Sequence, residues 1–139
     1  MNEFYWASIG KGAWCNNKRI RVSKRQDLVN CLIGTGAPFG ERNYTDYYKE
    51  LENISKLTAG TRRLGSAALD LAYVASGKID GFWEKNLNLW DVCSGVLLVK
   101  EAGGRVSQPQ GKNWTAKSRD ILASNTLIHN KLIENLTLL

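Results

Sequence analysis

The chain has 139 residues, 43% of them apolar and 23% charged, with a formal charge of +6. That length supports one domain with a sizeable core, and the composition is that of a globular protein rather than a disordered or fibrous one. No apolar run approaches the roughly 20 residues that cross a bilayer, and no basic segment followed by an apolar one marks a signal peptide; the expected location is cytoplasmic.

Cys15, Cys31 and Cys93 are far apart and odd in number. They fit no zinc spacing and no disulfide framework, so buried free thiols in a reducing compartment are expected. The positive charge permits attraction to nucleic acid or to anionic ligands, but acidic residues are interleaved with the basic ones.

Residues 3–8 carry Phe4, Tyr5 and Trp6, good strand formers. Gly10-Lys11-Gly12 signals a turn, residues 13–15 continue as a strand, and Asn16-Asn17 make a second turn. Residues 19–23 alternate polar with apolar, the mark of a half-solvated strand. Two hairpins of a small antiparallel piece follow.

Residues 28–33 are apolar and read as a buried strand, ended by Gly34-Thr35-Gly36. Pro38 and Gly40 make a loop. Tyr44, Tyr47, Tyr48, Leu51 and Ile54 then fall at helical spacing, with Asn43 as cap and the aromatic stripe in the core. Residues 62–64 read as a short strand. Ser66 is a natural N-cap for a helix over residues 68–76, closed by Gly77. Ala67, Ala68, Ala72 and Ala75 let that helix pack closely against a sheet or another helix. Gly65 and the free N–H groups after it offer a place for an oxyanion or a hydroxyl-rich ligand, although many helices begin this way.

Residues 79–84 read as a strand that ends at Glu84. A turn with Asn86 and Asn88 follows, and Trp90-Asp91 opens an apolar, small-residue helix that Gly103-Gly104 stops. Asp91 therefore falls in the first helical turn, beside the positive end of the dipole. A carboxylate there, at the mouth of an α/β sheet, suits a cation or an approaching ligand. On helix grounds alone the first-turn role is the preferred one. Residues 105–107 read as a short strand, 109–117 as a loop and 121–124 as an apolar strand. Asn125 caps a last helix in which Ile128, Leu132, Ile133 and Leu136 share a face. His129, the single histidine, falls near the edge of that face; nothing pairs with it as in a catalytic triad, and it is expected to be at the surface or partly buried. The alternation from residue 28 onward argues for an α/β fold with a mostly parallel sheet.

Residues 65–77, GSAALDLAYVASG, then Asp80-Gly81, Glu84, Trp90-Asp91-Val92 and Glu101-Ala102-Gly103-Gly104 together resemble the C-terminal half of the inositol monophosphatase family, in its bacterial extragenic-suppressor form. Gly10 to Asn16 and Gly34 to Pro38 are also similar to the family, so the resemblance covers nearly the whole chain. It implies the C-terminal lobe of the layered α/β/α/β/α sugar-phosphatase fold over residues 28–139. Residues 1–27 would then be a hairpin segment left from the N-terminal lobe's sheet. It also implies a magnesium-dependent phosphomonoesterase acting on a phosphorylated polyol such as inositol phosphate. By the same resemblance Asp91 is a metal ligand and catalytic residue that also faces substrate. Glu84 accepts from substrate hydroxyls, and Gly65, Ser66 and Ala67 contact the inositol ring.

The departures bear on activity. The family's Gly-Glu-Glu and Asp-Pro-Ile-Asp-Gly-Thr motifs, which build most of its metal cluster, are absent from the sequence. Ile79-Asp80-Gly81 is similar only to the end of the second motif: Gly77 stands at its first aspartate and Phe82 at its threonine. Magnesium sheds water reluctantly, and Asp91 alone does not hold two such ions, so the chain is expected to be catalytically incomplete. The resemblance implies a homo-oligomer. It also implies an alternative role as a non-catalytic module for RNA or the transcription machinery, for which Lys11, Lys18, Arg19, Arg21, Lys24 and Arg25 offer positive charge. A solvated hairpin face is the preferred reading of that cluster. No membrane partner is expected.

Overall fold

A computed structural model describes residues 2–37 and 45–137. The chain opens with an antiparallel meander of β1 (Tyr5–Ser8), β2 (Gly12–Cys15) and β3 (Lys18–Ile20). The two expected turns close it. Asn16, with φ 54°, lies in the two-residue loop between β2 and β3, where asparagine tolerates the left-handed conformation. The Trp6 and Trp14 rings, cross-strand partners, stack with centroids 5.5 Å apart.

The strand expected from residue 28 begins later. Leu28–Asn30 form a short 3-10 turn, and β4 runs over Leu32–Thr35. One cause is local and one distant: the Asn30 N–H donates to the Asp27 carbonyl and Val29 is exposed, while the Leu32 N–H is taken by Asp80 Oδ2 at 2.8 Å. α1 spans Thr45–Leu57 and buries Tyr47, Glu50 and Ile54. The aromatic stripe is narrower than expected, because Tyr48 is 61% exposed while Glu50 turns inward to Lys85 and the Trp83 indole N–H. The proposed Asn43 cap and Tyr44 lie outside the described residues. β5 covers Gly60–Arg62, two residues before the expected strand.

α2 (Ala67–Ala75) starts at its predicted cap: Ser66 Oγ accepts from the Leu69 N–H at 3.3 Å. β6 is Gly81–Glu84, α3 is Leu89–Glu101, β7 is Arg105–Ser107, β8 is Ile121–Ser124 and α4 is His129–Thr137. Asn125 Oδ1 accepts from the Leu127 and Ile128 N–H groups, securing the turn that leads into α4.

The main sheet has the order β5-β4-β6-β8-β7. β4 is parallel to β5 and β6, while β8 is antiparallel to both β6 and β7. Four strands therefore point one way, and β8, wedged between β6 and β7, runs against them. The expected α/β fold is what forms, and its sheet is mixed, with two parallel and two antiparallel pairings. Side chains alternate across it. Phe82 and Ala123 join a core with α2, α3 and the meander, whereas Trp83 and Leu122 join a second core with α1 and α4. The layers thus run from the meander through α2 and α3 and the sheet to α1 and α4. α2 and α3 touch closely, since a Cβ on Gly95 would fall 2.5 Å from Leu71.

His129 departs from its expected edge position. It is fully buried, with Nδ1 2.7 Å from Ser124 Oγ and Nε2 2.8 Å from Ser107 Oγ. Two hydroxyls supply the partners that a buried imidazole needs, and the spacing of residues 107, 124 and 129 gave no sign of it. Burial, with the Arg105 charge added, lowers its pKa to about 4, so the ring is neutral. Of the cysteines only Cys31 is buried; Cys15 is half-buried and Cys93 is exposed on α3. No described helix is long and apolar enough to cross a membrane.

Candidate functional site

A cavity of about 520 Å³ lies at the C-terminal ends of β4 and β6, against the N-termini of α2 and α3. Gly65, Ser66, Ala67, Glu84 and Asp91, the five residues named from the sequence, all line it. Three separate stretches of chain bring them there.

Glu84 is the last residue of β6 and is 6% exposed. Its carboxylate occupies the space where a side chain on Gly36 would stand. Burial first, and the Asp91 charge second, push its pKa up to about 7, while Arg63 opposes the shift. Asp91 is the third residue of α3 and is half-buried. Its Oδ2 accepts from the Asn88 N–H at 2.9 Å, the reciprocal half of a capping box. The capping contact and a place on the cavity wall therefore coexist in one side chain.

Ser66 spends one Oγ lone pair on the cap, and Gly65 before it has φ +84°, a conformation that favours glycine. The N–H groups at the start of α2 have no partner within the helix and sit at the positive end of its dipole. The cavity thus combines hydrogen-bond donors from a helix start, two carboxylates and the Arg63 guanidinium on its rim. Such a set is chemically suited to a hydroxyl-rich, anionic ligand with a cation beside the carboxylates.

A hard cation such as magnesium takes carboxylate oxygen, and Asp91 and Glu84 are the carboxylates that line the cavity. Among the described residues no group of three His, Cys, Asp or Glu side chains converges as a metal site. The residues present fit one edge of a magnesium site and not a whole one.

Sequence reasoning missed Asp70, Gly36, Arg63 and Trp90 as parts of this region. Asp70, 1% exposed, lies beneath the floor in α2. A lone carboxyl in the otherwise apolar run AALDLAYVA was a usable signal. Arg63 carried none, and Trp90 stood out only as part of the Trp90-Asp91 pair; the tertiary fold brings both to the rim.

Fold and cavity define this chain as an α/β lobe of the sugar-phosphatase type. It belongs to the inositol monophosphatase family, whose model matches residues 1–138. The inositol-1-monophosphatase of Caulobacter vibrioides is 42% identical over 138 residues, covering 97% of this chain and 54% of that protein. The putative Nus factor SuhB of Neisseria meningitidis is 46% identical over 134 residues, covering 96% and 51%. Among solved structures, the extragenic suppressor protein suhB from Bartonella henselae superposes with a TM-score of 0.92 at 45% identity, covering 97% of this chain and 52% of that one. The chain spans about half the length of the curated relatives it matches.

Proposed function

We propose that this chain is the substrate-recognising half of a magnesium-dependent phosphomonoesterase for inositol-type phosphates. One observation carries the reading: Gly65, Ser66, Ala67, Glu84 and Asp91 line a single cavity where two helices begin. Glu84 accepts from a polyol hydroxyl. The Ser66 and Ala67 region offers backbone N–H groups to the ring oxygens or the phosphate. Asp91 supplies one oxygen to the metal, which, when bound, polarises the phosphoryl oxygens. The rest of the metal ligands come from the two motifs that this sequence lacks, so the chain alone does not turn over. Family membership and the inositol-1-monophosphatase relatives support this reading. A cytoplasmic, homo-oligomeric enzyme is part of it, and exposed Phe4, Ile9 and Trp90 give association an apolar driving force.

The test is phosphate release from inositol 1-phosphate with magnesium, for the 139-residue chain beside Asp91→Asn. Neither releases phosphate alone. Adding a relative's N-terminal half, with both motifs, restores release to the wild-type chain and not to Asp91→Asn. Release by the chain on its own, lost in Asp91→Asn, would overturn the claim of incompleteness. Failure of the complemented pair would overturn the catalytic reading.

A second reading takes its support from relatives named Nus factor SuhB. Lys11, Lys18, Arg19, Arg21 and Lys24 are exposed on or next to the meander, while Arg25 is engaged by Asp80 at 3.2 Å. An RNA partner held by these residues dissociates steeply as salt rises. Salt-insensitive or absent RNA binding removes this reading.

A further inference from the structure

A carboxyl group without a role in the proposed function lies under the cavity floor. Asp70 sits in an otherwise apolar helix, 1% exposed, and its Oδ1 has no hydrogen-bond partner among the described residues. Among the described residues no basic side chain forms an ion pair with it. It is seated in a cradle: a Cβ on Gly34 would stand 2.5 Å from Oδ1 and 3.0 Å from Ile79 Cδ1. Two residues along β4, Gly36 leaves the same kind of room for Glu84.

Alternate residues of a strand face one side, roughly 6.8 Å apart. Gly34 and Gly36 therefore hold two carboxyl groups side by side on the α2 and α3 face of the sheet. A buried carboxylate with neither donor nor cation is strongly disfavoured, and a second one beside it adds repulsion. The floor does not hold two anions, so one group keeps its proton.

The surroundings select which. Asp91 on α3 disfavours a charge on Glu84 and Arg63 after β5 favours it, so access to the cavity is what separates the pair. Glu84 lines the open cavity. Asp70 faces Glu84 alone: β4 presents glycine to it, and the turn before β6 presents Ile79.

We propose that Asp70 is a positioning residue that keeps its proton beneath Glu84, leaving Glu84 as the ionised carboxyl that faces the cavity. The proposal rests on the reading of Glu84 as the hydroxyl acceptor and adds what fixes its ionisation state. Burial, then the Glu84 charge, raises the Asp70 pKa to about 7, in accord with the geometry.

The experiment is a carboxyl-carbon NMR titration of the full chain and of Glu84→Gln and Asp70→Asn. Asp70 in the wild-type chain titrates far above the ordinary value of about 3.9. Its midpoint falls in Glu84→Gln, where the neighbouring charge is gone. In the isosteric Asp70→Asn, Glu84 titrates at or below its wild-type midpoint. An Asp70 that titrates in the ordinary carboxylate range overturns the proposal, and so does a midpoint unmoved by Glu84→Gln. The wild-type titration decides the first point even where a variant fails to fold. Phosphate release plays no part in this readout, so failure of the catalytic reading and failure of this proposal are distinguishable.

Discussion

Glu84 at the end of β6 fills the space that a side chain at Gly36, just past the end of β4, would need. The glycine thus fixes where the carboxylate sits. Gly36→Ala drives a methyl into Glu84 Oε1, and the carboxylate must leave the floor. The displaced atoms are the far end of a side chain beside an open cavity, so the loss of stability falls at the low end of the roughly 1–3 kcal/mol that crowding costs in a core. Phosphate release by the complemented enzyme should fall at least tenfold, measured beside the denaturation midpoint. Unchanged activity would show that the Glu84 position is not needed.

Asp91 makes a capping contact and, in the proposed function, holds the metal; two variants separate the two. Asp91→Asn keeps a side-chain oxygen for the Asn88 N–H, so its stability stays close to wild type while magnesium-dependent release is lost. Asp91→Ala loses the contact as well and is less stable by about 1 kcal/mol. Thermal denaturation of the two variants checks the difference. Equal loss of stability in both would mean that the charge, acting on the α3 dipole, matters more than the hydrogen bond.

Glu101 shows what the Glu-Ala-Gly-Gly stretch does structurally. An acidic residue in the last turn of a helix opposes the dipole, and the offset lies across the chain. Glu101 Oε1 accepts from the Gly12 N–H at 2.9 Å, and Oε2 accepts from the Gly10 N–H at 3.2 Å. The meander is thereby tied to α3. Glu101→Ala should destabilise by about 1–3 kcal/mol and speed amide exchange at residues 10 and 12. Unaltered exchange there would sever the link.

Patterns carried by neighbours in sequence were legible, and patterns made by distant pairs were not. The Ser66 cap, the Asn16-Asn17 turn and the order of elements follow from local chemistry, and all appear. The five cavity residues were named from a family resemblance whose motif residues stand in this sequence, and they do meet at one cavity. The start of β4 was misread because Asp80, far along the chain, takes the Leu32 N–H. His129 was misread because its partners, Ser107 and Ser124, come from β7 and β8. Asp70 was passed over because its meaning depends on Gly34 lying opposite.

Two buried groups give stability opposite dependences on pH. The folded pKa of His129 is lowered from 6.5 to about 4. Below pH 6.5 the unfolded chain takes up a proton that the folded chain refuses. Stability from this group is full above pH 6.5 and is lost as pH falls towards 4, by roughly 3 kcal/mol at about 1.4 kcal/mol per pH unit. The folded pKa of Asp70 is raised from 3.8 to about 7. Its contribution is full below pH 3.8 and is lost as pH rises towards 7, and Glu84, also raised to about 7, acts in the same sense. In the wild-type chain the two slopes oppose each other between about pH 4 and 6.5. Single variants should unmask them. In His129→Gln, stability should fall more steeply than wild type as pH rises through this window. In Asp70→Asn it should fall less steeply or rise. Urea denaturation at several pH values reads both slopes, and parallel curves for all three proteins would mean that neither group changes its ionisation on folding.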